Sequence, residues 1–212
     1  MLSRPSLRSE QGFLLVEALA AMVLLGVLFA LFADFTSMLT TRNATLTRQA
    51  YLSTQGRVGT DMMSNELQSA MCNNTTQPVT IATTTQVQFT APDRQQPFHL
   101  QQITYTLGNG VLSRKVATST NTSTTGPPWT LGTTSPNETV VDSVTNPSVF
   151  KYYDSSGNDL APTGLALTAA QLPKVARVTL TLTLVPKASH GTGSLTTQGE
   201  ATIRTWSTQQ SC

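Results

Sequence analysis

An acidic residue lies inside a long apolar run near the start of the chain. Within residues 13–33, Glu17 is the only ionisable side chain. A helix of about 21 residues is about 31 Å long, which is enough to span the hydrocarbon core of a membrane. An acid at the centre of such a helix costs about 2.5–3.5 kcal/mol and usually faces a partner. Glu17 is therefore a candidate functional residue, unless it lies close enough to the helix end to reach lipid headgroups.

The remaining polar residues do not form a recognisable catalytic or metal-binding pattern. His99 and His190 are far apart in sequence, and neither has a companion at ligand spacing. There is no G-x-S-x-G elbow, P-loop or dinucleotide fingerprint. Residues 154–159, DSSGND, have the composition of a calcium loop without the EF-hand spacing, and a hairpin turn is the favoured interpretation. We therefore expect neither an enzyme nor a bound metal or cofactor.

The composition gives little support to a nucleic-acid-binding protein. The formal net charge is +2 and only 11% of residues are charged, so a broad basic field is not expected. A local patch for DNA would have to gather a few scattered cations, namely Arg114, Lys115, Lys151, Arg177 and Lys187. Separate solvated positions are the favoured interpretation.

The residues before the apolar run help to decide what kind of membrane or export segment it is. A short polar segment with Arg4 and Arg8 ends at Gly12, and Glu17 is the fifth residue counted from Phe13. A cleaved secretory signal would have a shorter apolar region that ends in a small-residue cleavage site, and no clear site of that kind is present. The arrangement resembles the type IV prepilin family, which includes type IV pilins and the pseudopilins of type II secretion.

The resemblance implies how the N-terminus is processed and used. Prepilin peptidase would cut between Gly12 and Phe13 on the cytoplasmic side, and Phe13 would then be N-methylated. In the fibres of this family, the acid at the position of Glu17 is thought to meet the N-terminal amine of a neighbouring subunit. Opposite charges attract strongly where the dielectric is low, and an unpaired charge there is costly. Glu17 would thus fix one axial register between helices during assembly.

A long helix is expected to continue from this run. No proline occurs between Phe13 and Gln77, so one helix is predicted from Phe13 to about Met71. Its C-terminal part carries apolar residues at the spacing of a buried stripe, namely Met63, Leu67, Ala70 and Met71. Three glycines are predicted weak points, each costing about 0.8–1.0 kcal/mol relative to Ala: Gly26, Gly56 and Gly59. Residues 51–72 also resemble the helix of W-type minor pilins and J-type minor pseudopilins.

Beyond residue 72 the pattern changes to strands. Residues 79–91 predict two strands about a Thr turn, and residues 100–116 predict a hairpin whose turn is Gly108-Asn109-Gly110. Residues 149–160 predict a strand and turn. Residues 175–185 alternate as a half-buried strand does, and residues 200–208 are expected to close the sheet.

A low-complexity stretch separates two of these strands. Residues 117–137 are rich in Thr, Ser, Gly and Pro and are predicted to form a long surface loop. Trp129 lies within it. The side chain either packs down to anchor the loop, which we favour, or is an exposed contact for a ligand or a neighbouring subunit.

The chain contains two cysteines, Cys72 and Cys212. An even pair in an exported protein permits one disulfide, which would join the end of the helix to the end of the chain. Spacing alone does not establish pairing, so two separate thiols are the alternative.

Together these features predict an α+β protein with a pilin-like fold. The expected parts are a leader (1–12), a transmembrane helical half (13–35), an amphipathic helical half (36–72) and a β-rich head (73–212). The resemblance implies a minor pilin or pseudopilin in the cytoplasmic membrane with its head outside. Its implied partners are other pilin subunits, prepilin peptidase, an assembly platform and membrane lipid. The alternatives are a tip receptor for DNA or a surface ligand, and a membrane-anchored β domain that forms no filament.

Overall fold

The computed structural model describes residues 10–74, 76–162, 164–185 and 193–203, with backbone only for residues 10–14. One helix, α1 (Glu10–Gln68), is followed by antiparallel strands, so the fold is α+β as predicted. The chain divides into two units, the first ending at Thr47 and the second beginning at Arg48. The second unit contains the last part of α1 and every described strand.

The helix ends three residues before the predicted position. Its last turn tightens, because the amide of Ser69 donates to the Glu66 carbonyl and the amide of Ala70 donates to the Leu67 carbonyl. The chain then joins the sheet, where the Met71 amide donates to the Thr90 carbonyl. Met63, Leu67 and Ala70 are buried as predicted. Met71 is only partly buried, and it and Ala70 lie beyond the end of α1, so Met63 and Leu67 are the part of the predicted stripe by which α1 packs in the second unit.

The described strands form two antiparallel sheets. The first contains β1 (Val79–Ala82), β2 (Gln86–Pro92), β3 (His99–Gly108), β4 (Val111–Thr122), β5 (Leu131–Thr134) and β6 (Glu138–Val141). These strands lie in the order β1-β2-β3-β4-β5, and β6 also pairs with β4. The second sheet contains β7 (Phe150–Tyr153), β8 (Arg177–Leu184) and β9 (Leu195–Thr202), in that order. The predicted strands around residues 79–91, 100–116 and 149–160 are all present.

Two local predictions are confirmed in detail. Asn109 and Gly110 have φ of 52° and 74° between paired Gly108 and Val111, which is the geometry of a two-residue type I′ hairpin turn. In β8 every second residue is buried. The buried set is Val178, Leu180, Leu182 and Leu184. Of the stretch predicted to close the sheet, the described part supplies the end of β9, which pairs with β8.

The loop predicted for residues 117–137 is wrong at both ends. Strand β4 continues to Thr122, and β5 pairs back onto it through Ala117 with Thr134 and Ser119 with Leu131. The many threonines are β-branched and fit a pleated, half-buried strand well, and β5 satisfies their backbone groups. Residues 123–130, between β4 and β5, and residues 135–137, between β5 and β6, remain irregular as predicted. The polar, low-complexity composition had hidden the end of β4 and the whole of β5.

The two sheets share one core with α1 in the second unit. Leu52 and Met63 of α1 belong to the same buried cluster as Phe89 of the first sheet and Phe150 and Leu182 of the second. Between β6 and β7 the chain links the sheets, since Val144 donates to the Gly110 carbonyl and forms a bridge with Leu184. The sheets are therefore parts of a single packed body.

Candidate functional site

Glu17 lies on an exposed part of α1. Every described side chain from Leu15 to Ala44 is exposed, including Leu15 at 67% and Phe29 at 68%. The helix is long and apolar enough to cross a membrane, and none of its apolar window is buried within the protein. Large apolar side chains are rarely left in water over such a length, so this surface is suited to lipid or to other apolar helices.

Within the part of the chain that the structure describes, no hydrogen bond or ion pair engages the side chain of Glu17. The next ionisable residue along α1 is Asp34, about 26 Å away by helical rise and of the same sign. Gly12 and Phe13 lie in the helical backbone, and Phe13 precedes Glu17 by four residues, so the two positions share a face. A cation for Glu17 must therefore come from the N-terminal end or from another molecule.

A second cluster of polar side chains holds the C-terminal end of α1 to the first sheet. Glu66 accepts two hydrogen bonds from Arg114, from Nη2 to Oε1 at 2.7 Å and from Nε to Oε2 at 3.2 Å. The hydroxyl of Tyr105 also donates to Oε2 at 2.6 Å. Arg114 contacts Glu138 as well, at 3.4 Å. We call Glu66, Tyr105 and Arg114 the helix–sheet lock.

The register between β3 and β4 places the two sheet residues of the lock side by side, facing the helix. Tyr105 on β3 and Arg114 on β4 are cross-strand partners, so both side chains leave the sheet on the same face. Tyr105 is fully buried and stacks on Phe89 with ring centroids 6.3 Å apart. The side chains of Arg114 and Glu66 are 17% and 21% exposed. The charges of Arg114 and Glu66 are thus largely removed from water, and each is stabilised mainly by the other.

Burial and charge shift the acid–base behaviour of the lock. Burial, and after it the negative charge of Glu66, raise the pKa of Tyr105 far above its ordinary value. Burial opposes the charge of Arg114, but its bonds to Glu66 outweigh that effect and raise the pKa of the guanidinium. The tyrosine therefore stays protonated and donates to the carboxylate. The arrangement attaches the end of α1 to β3 and β4.

Two of the glycines predicted to weaken α1 are positions of close approach instead. A Cβ on Gly56 would lie 2.9 Å from Leu184 Cδ1, and one on Gly59 would collide with Val141 Cγ2. The sheet also has a glycine at this contact: a Cβ on Gly199 of β9 would lie 2.9 Å from Ser64 Oγ of α1. Nothing lies within 4 Å of such an atom on Gly26. The helix therefore needs Gly56 and Gly59 in order to approach β6, β8 and β9.

The segment after α1 is fixed to the turn between β4 and β5. The Asn73 side chain donates to the Trp129 carbonyl at 3.3 Å and accepts from the Trp129 amide at 3.1 Å. Trp129 is 9% exposed, and the centroid of its ring lies 5.5 Å from that of Phe98. Trp129 packs down and anchors its loop, as favoured from the sequence. Cys72 directly precedes Asn73, but Cys212 lies outside the described residues, so the predicted bridge between them stays a prediction.

The loop at residues 154–159 is built as a turn. The Asp154 carboxylate accepts hydrogen bonds from the Ser156 amide and from both the amide and the side chain of Asn158. The bonds from Asn158, led by its side chain, lower the pKa of Asp154. These oxygens are occupied by the loop itself. Among the described residues, no group of three or more His, Cys, Asp or Glu is arranged to hold a metal ion.

His99 has a structural partner. Its Nδ1 lies 3.1 Å from Oδ2 of Asp93, whose Oδ1 accepts from the backbone amides of Gln95 and His99. Burial opposes ionisation of Asp93, but these hydrogen bonds and the imidazole prevail and lower its pKa. The pair closes the loop between β2 and β3. His190, the second histidine, lies outside the described residues.

The five cations considered for a DNA patch differ in whether they are already paired with a carboxylate. Arg114 belongs to the helix–sheet lock, and Arg177 lies 3.4 Å from Glu200 and over the ring of Tyr153. Lys115 and Lys151 are exposed, and Lys187 lies outside the described residues. Sequence reasoning had grouped Arg114 with the surface cations and had not singled out Glu66. The available sign was the spacing from buried Met63 to Glu66, three residues, which places the acid beside the packed face of the helix.

Comparison with known proteins adds no family name. No protein-family model matches the chain, and no curated protein matches its sequence. Function is therefore inferred from the exposed apolar part of α1, from Glu17 within it and from the packed second unit.

Proposed function

We propose that the protein is a minor subunit of a type IV pilus-like filament, inserted in the cytoplasmic membrane and then drawn into a pilus or pseudopilus. The observation that carries the proposal is Glu17, an acid without a described partner on an exposed apolar helix and one turn from Phe13. Such a residue is costly unless it meets a cation. Cleavage after Gly12 would create one, the α-amino group of Phe13.

The second unit fits the role of a filament subunit's head. It buries its own core around the C-terminal part of α1, so it is built to fold as a unit at the end of that helix. The proposed partners are other pilin-like subunits, which would contact the apolar part of α1, together with prepilin peptidase and the assembly platform. The proposed role is structural, in priming or at the tip, with no reaction of its own.

Assembly tests the proposal directly. Glu17→Val should insert in the membrane as the wild type does, because it only increases apolarity, but should assemble at less than about a tenth of the wild-type level because the register charge is lost. Glu17→Asp, which keeps the charge, is the matched control and should retain part of the assembly. Filament or secretion levels that are unchanged in Glu17→Val would contradict the role.

Reception of DNA by the second unit is the alternative function. Two of the five cations that would form the patch are paired with carboxylates, which reduces the charge available for phosphates. Filter binding with labelled duplex DNA at two salt concentrations distinguishes the two functions. Tight binding that weakens steeply with salt would favour the receptor, whereas the filament proposal expects none.

A further inference from the structure

Strand β9 lies at one end of the second sheet and pairs with β8 along its whole length, without a register shift. In β8 the amide of Thr181 donates to the carbonyl of Val149, just before β7. Because backbone groups point to alternate sides along a strand, the even-numbered residues of β8 bond to β9, and their partners there are odd-numbered. The backbone amides and carbonyls of four β9 residues therefore point away from the sheet: Thr196, Gln198, Glu200 and Thr202.

These outward groups form an open edge. Among the described residues, no backbone group bonds to them, and their side chains are exposed. The opposite end of the same sheet is different, because the loop after β7 covers it. There the Leu160 amide donates to the Tyr152 carbonyl, and Asp159 forms a bridge with Tyr153.

The edge of β9 also lacks the features that usually prevent a strand from pairing further. Folded proteins protect edge strands by making them short, by placing Lys or Pro in them, or by bulges. β9 has 8 residues, contains neither Lys nor Pro, and has no bulge against β8. Its one charged residue, Glu200, lies 3.4 Å from Arg177, which reduces the effect of the acid. The edge is therefore able to accept another strand.

The position of α1 limits what can pair with this edge. The helix lies close over the inner face of β9, where a Cβ on Gly199 would collide with Thr60 Cγ2. A second copy paired edge to edge about a two-fold axis would bring its own helix to the same face. Neighbouring strands lie about 4.8 Å apart, whereas packed helices need about 8–10 Å between their axes. A single extended segment without a helix above it avoids this conflict.

We propose that β9 is a strand-addition site, where an extended segment of another protein pairs with the outer edge and continues the second sheet. Thr196 and Thr202 are about 20 Å apart along the strand, so the edge takes a segment of about seven residues. Backbone hydrogen bonds to the outward groups hold the segment in place. The segment has no acid opposite Glu200, because like charges directly opposite each other destabilise a strand pair. This inference goes beyond the filament role and holds equally for a membrane-anchored domain.

Site-specific photo-cross-linking in cells that make the full-length protein tests the proposal. The photoreactive residue p-benzoylphenylalanine is placed at Thr196 in one variant and at Thr202 in another, and mass spectrometry identifies the cross-linked peptides. Both variants should attach to the same segment of one partner, at points about six residues apart, because paired strands have the same rise per residue. A docked helix would place the two points about 13 residues apart over the same distance.

Gln198 provides matched variants for the same experiment. Gln198→Pro removes an amide that points away from the sheet, so it should leave the fold intact but reduce both cross-links by at least about tenfold. Gln198→Ala keeps that amide and should leave both cross-links at the parent level. Urea unfolding checks that the two variants remain folded.

The pattern of cross-links separates the possible outcomes. Attachment to one segment at strand spacing, lost in Gln198→Pro and kept in Gln198→Ala, supports strand addition. An absence of cross-links, attachment at helical spacing or attachment to two different proteins would overturn it. Cross-links to residues 195–202 of a second copy would also overturn it, in favour of self-pairing. A folded Gln198→Pro protein that cross-links like Gln198→Ala would rule out backbone pairing, and the spacing alone decides the matter if that variant does not fold.

Discussion

The Glu66 carboxylate on the last turns of α1 lies 2.7 Å from Nη2 of Arg114 on β4, and the Tyr105 hydroxyl completes the contact at 2.6 Å. The three groups join the end of the helix to the middle of the first sheet. Each is largely buried, so removing one leaves the others poorly solvated and unpaired. The lock is therefore expected to fix the position of the helix end in the second unit.

A double-mutant cycle on Glu66→Ala and Arg114→Ala measures the strength of the lock. Hydrogen bonds to charged groups contribute about 1.5–3 kcal/mol, so we expect a coupling free energy of that size in urea unfolding followed by tryptophan fluorescence. Glu138→Ala is the control, because Glu138 is 65% exposed and its contact with Arg114 should contribute less than about 0.5 kcal/mol. A coupling free energy no larger than that of the control would show that the contact does not hold the helix.

Stability should fall at alkaline pH because of Tyr105 and Tyr152. Burial is the main cause that raises the pKa of both tyrosines far above their ordinary value, with Glu66 adding to the effect at Tyr105. The folded protein therefore keeps two protons that the unfolded chain releases above about pH 10. Stability from this source is complete below that pH and is lost as pH rises beyond it, by up to about 1.4 kcal/mol per pH unit for each tyrosine.

The double variant Tyr105→Phe, Tyr152→Phe provides the check on this alkaline effect. It should be less stable at neutral pH, since both hydroxyls are hydrogen-bonded, but its unfolding free energy should depend less steeply on pH above 10 than that of the wild type. Equal slopes for the two proteins would mean that these tyrosines are not the source.

Gly59 and Gly26 allow a controlled comparison, because both lie in α1 but only Gly59 is in close contact with the sheet. By helix propensity alone, changing either glycine to Ala should stabilise α1 by about 0.8–1.0 kcal/mol. At Gly59 the new methyl group would collide with Val141, and overpacking typically costs about 1–3 kcal/mol. Gly59→Ala should therefore lower the urea midpoint of the second unit, while Gly26→Ala should leave it unchanged. A Gly59→Ala protein as stable as the wild type would argue against close packing of helix and sheet.

Local chemistry explains which parts of the fold were predictable from sequence. The turn at Asn109 and Gly110 requires positive φ at both residues, and few residue types permit it. The strand β8 alternates strictly because one of its faces is buried. The stripe on α1 was equally visible, because a helix repeats its buried face every three or four residues.

Features that depend on distant partners were not predictable. The end of β4 and all of β5 occupy a stretch predicted as loop, because a Thr-rich sequence becomes a strand only when a partner strand is present. The glycines at 56 and 59 looked like defects until β6 and β8 were placed beside them. Glu66 and Arg114 are 48 residues apart, and nothing local marks them as a pair. Glu17, in contrast, was evident at once, since an acid in an apolar run is conspicuous without any structure.

The mature N-terminus is the most direct test of the central claim. Mass spectrometry of the protein purified from its own membranes should find a chain that begins at N-methylated Phe13, because the proposed role of Glu17 requires the amine that cleavage after Gly12 creates. A chain that retains residues 1–12, in cells that process their other prepilins, would contradict the filament role and leave a membrane-anchored β domain.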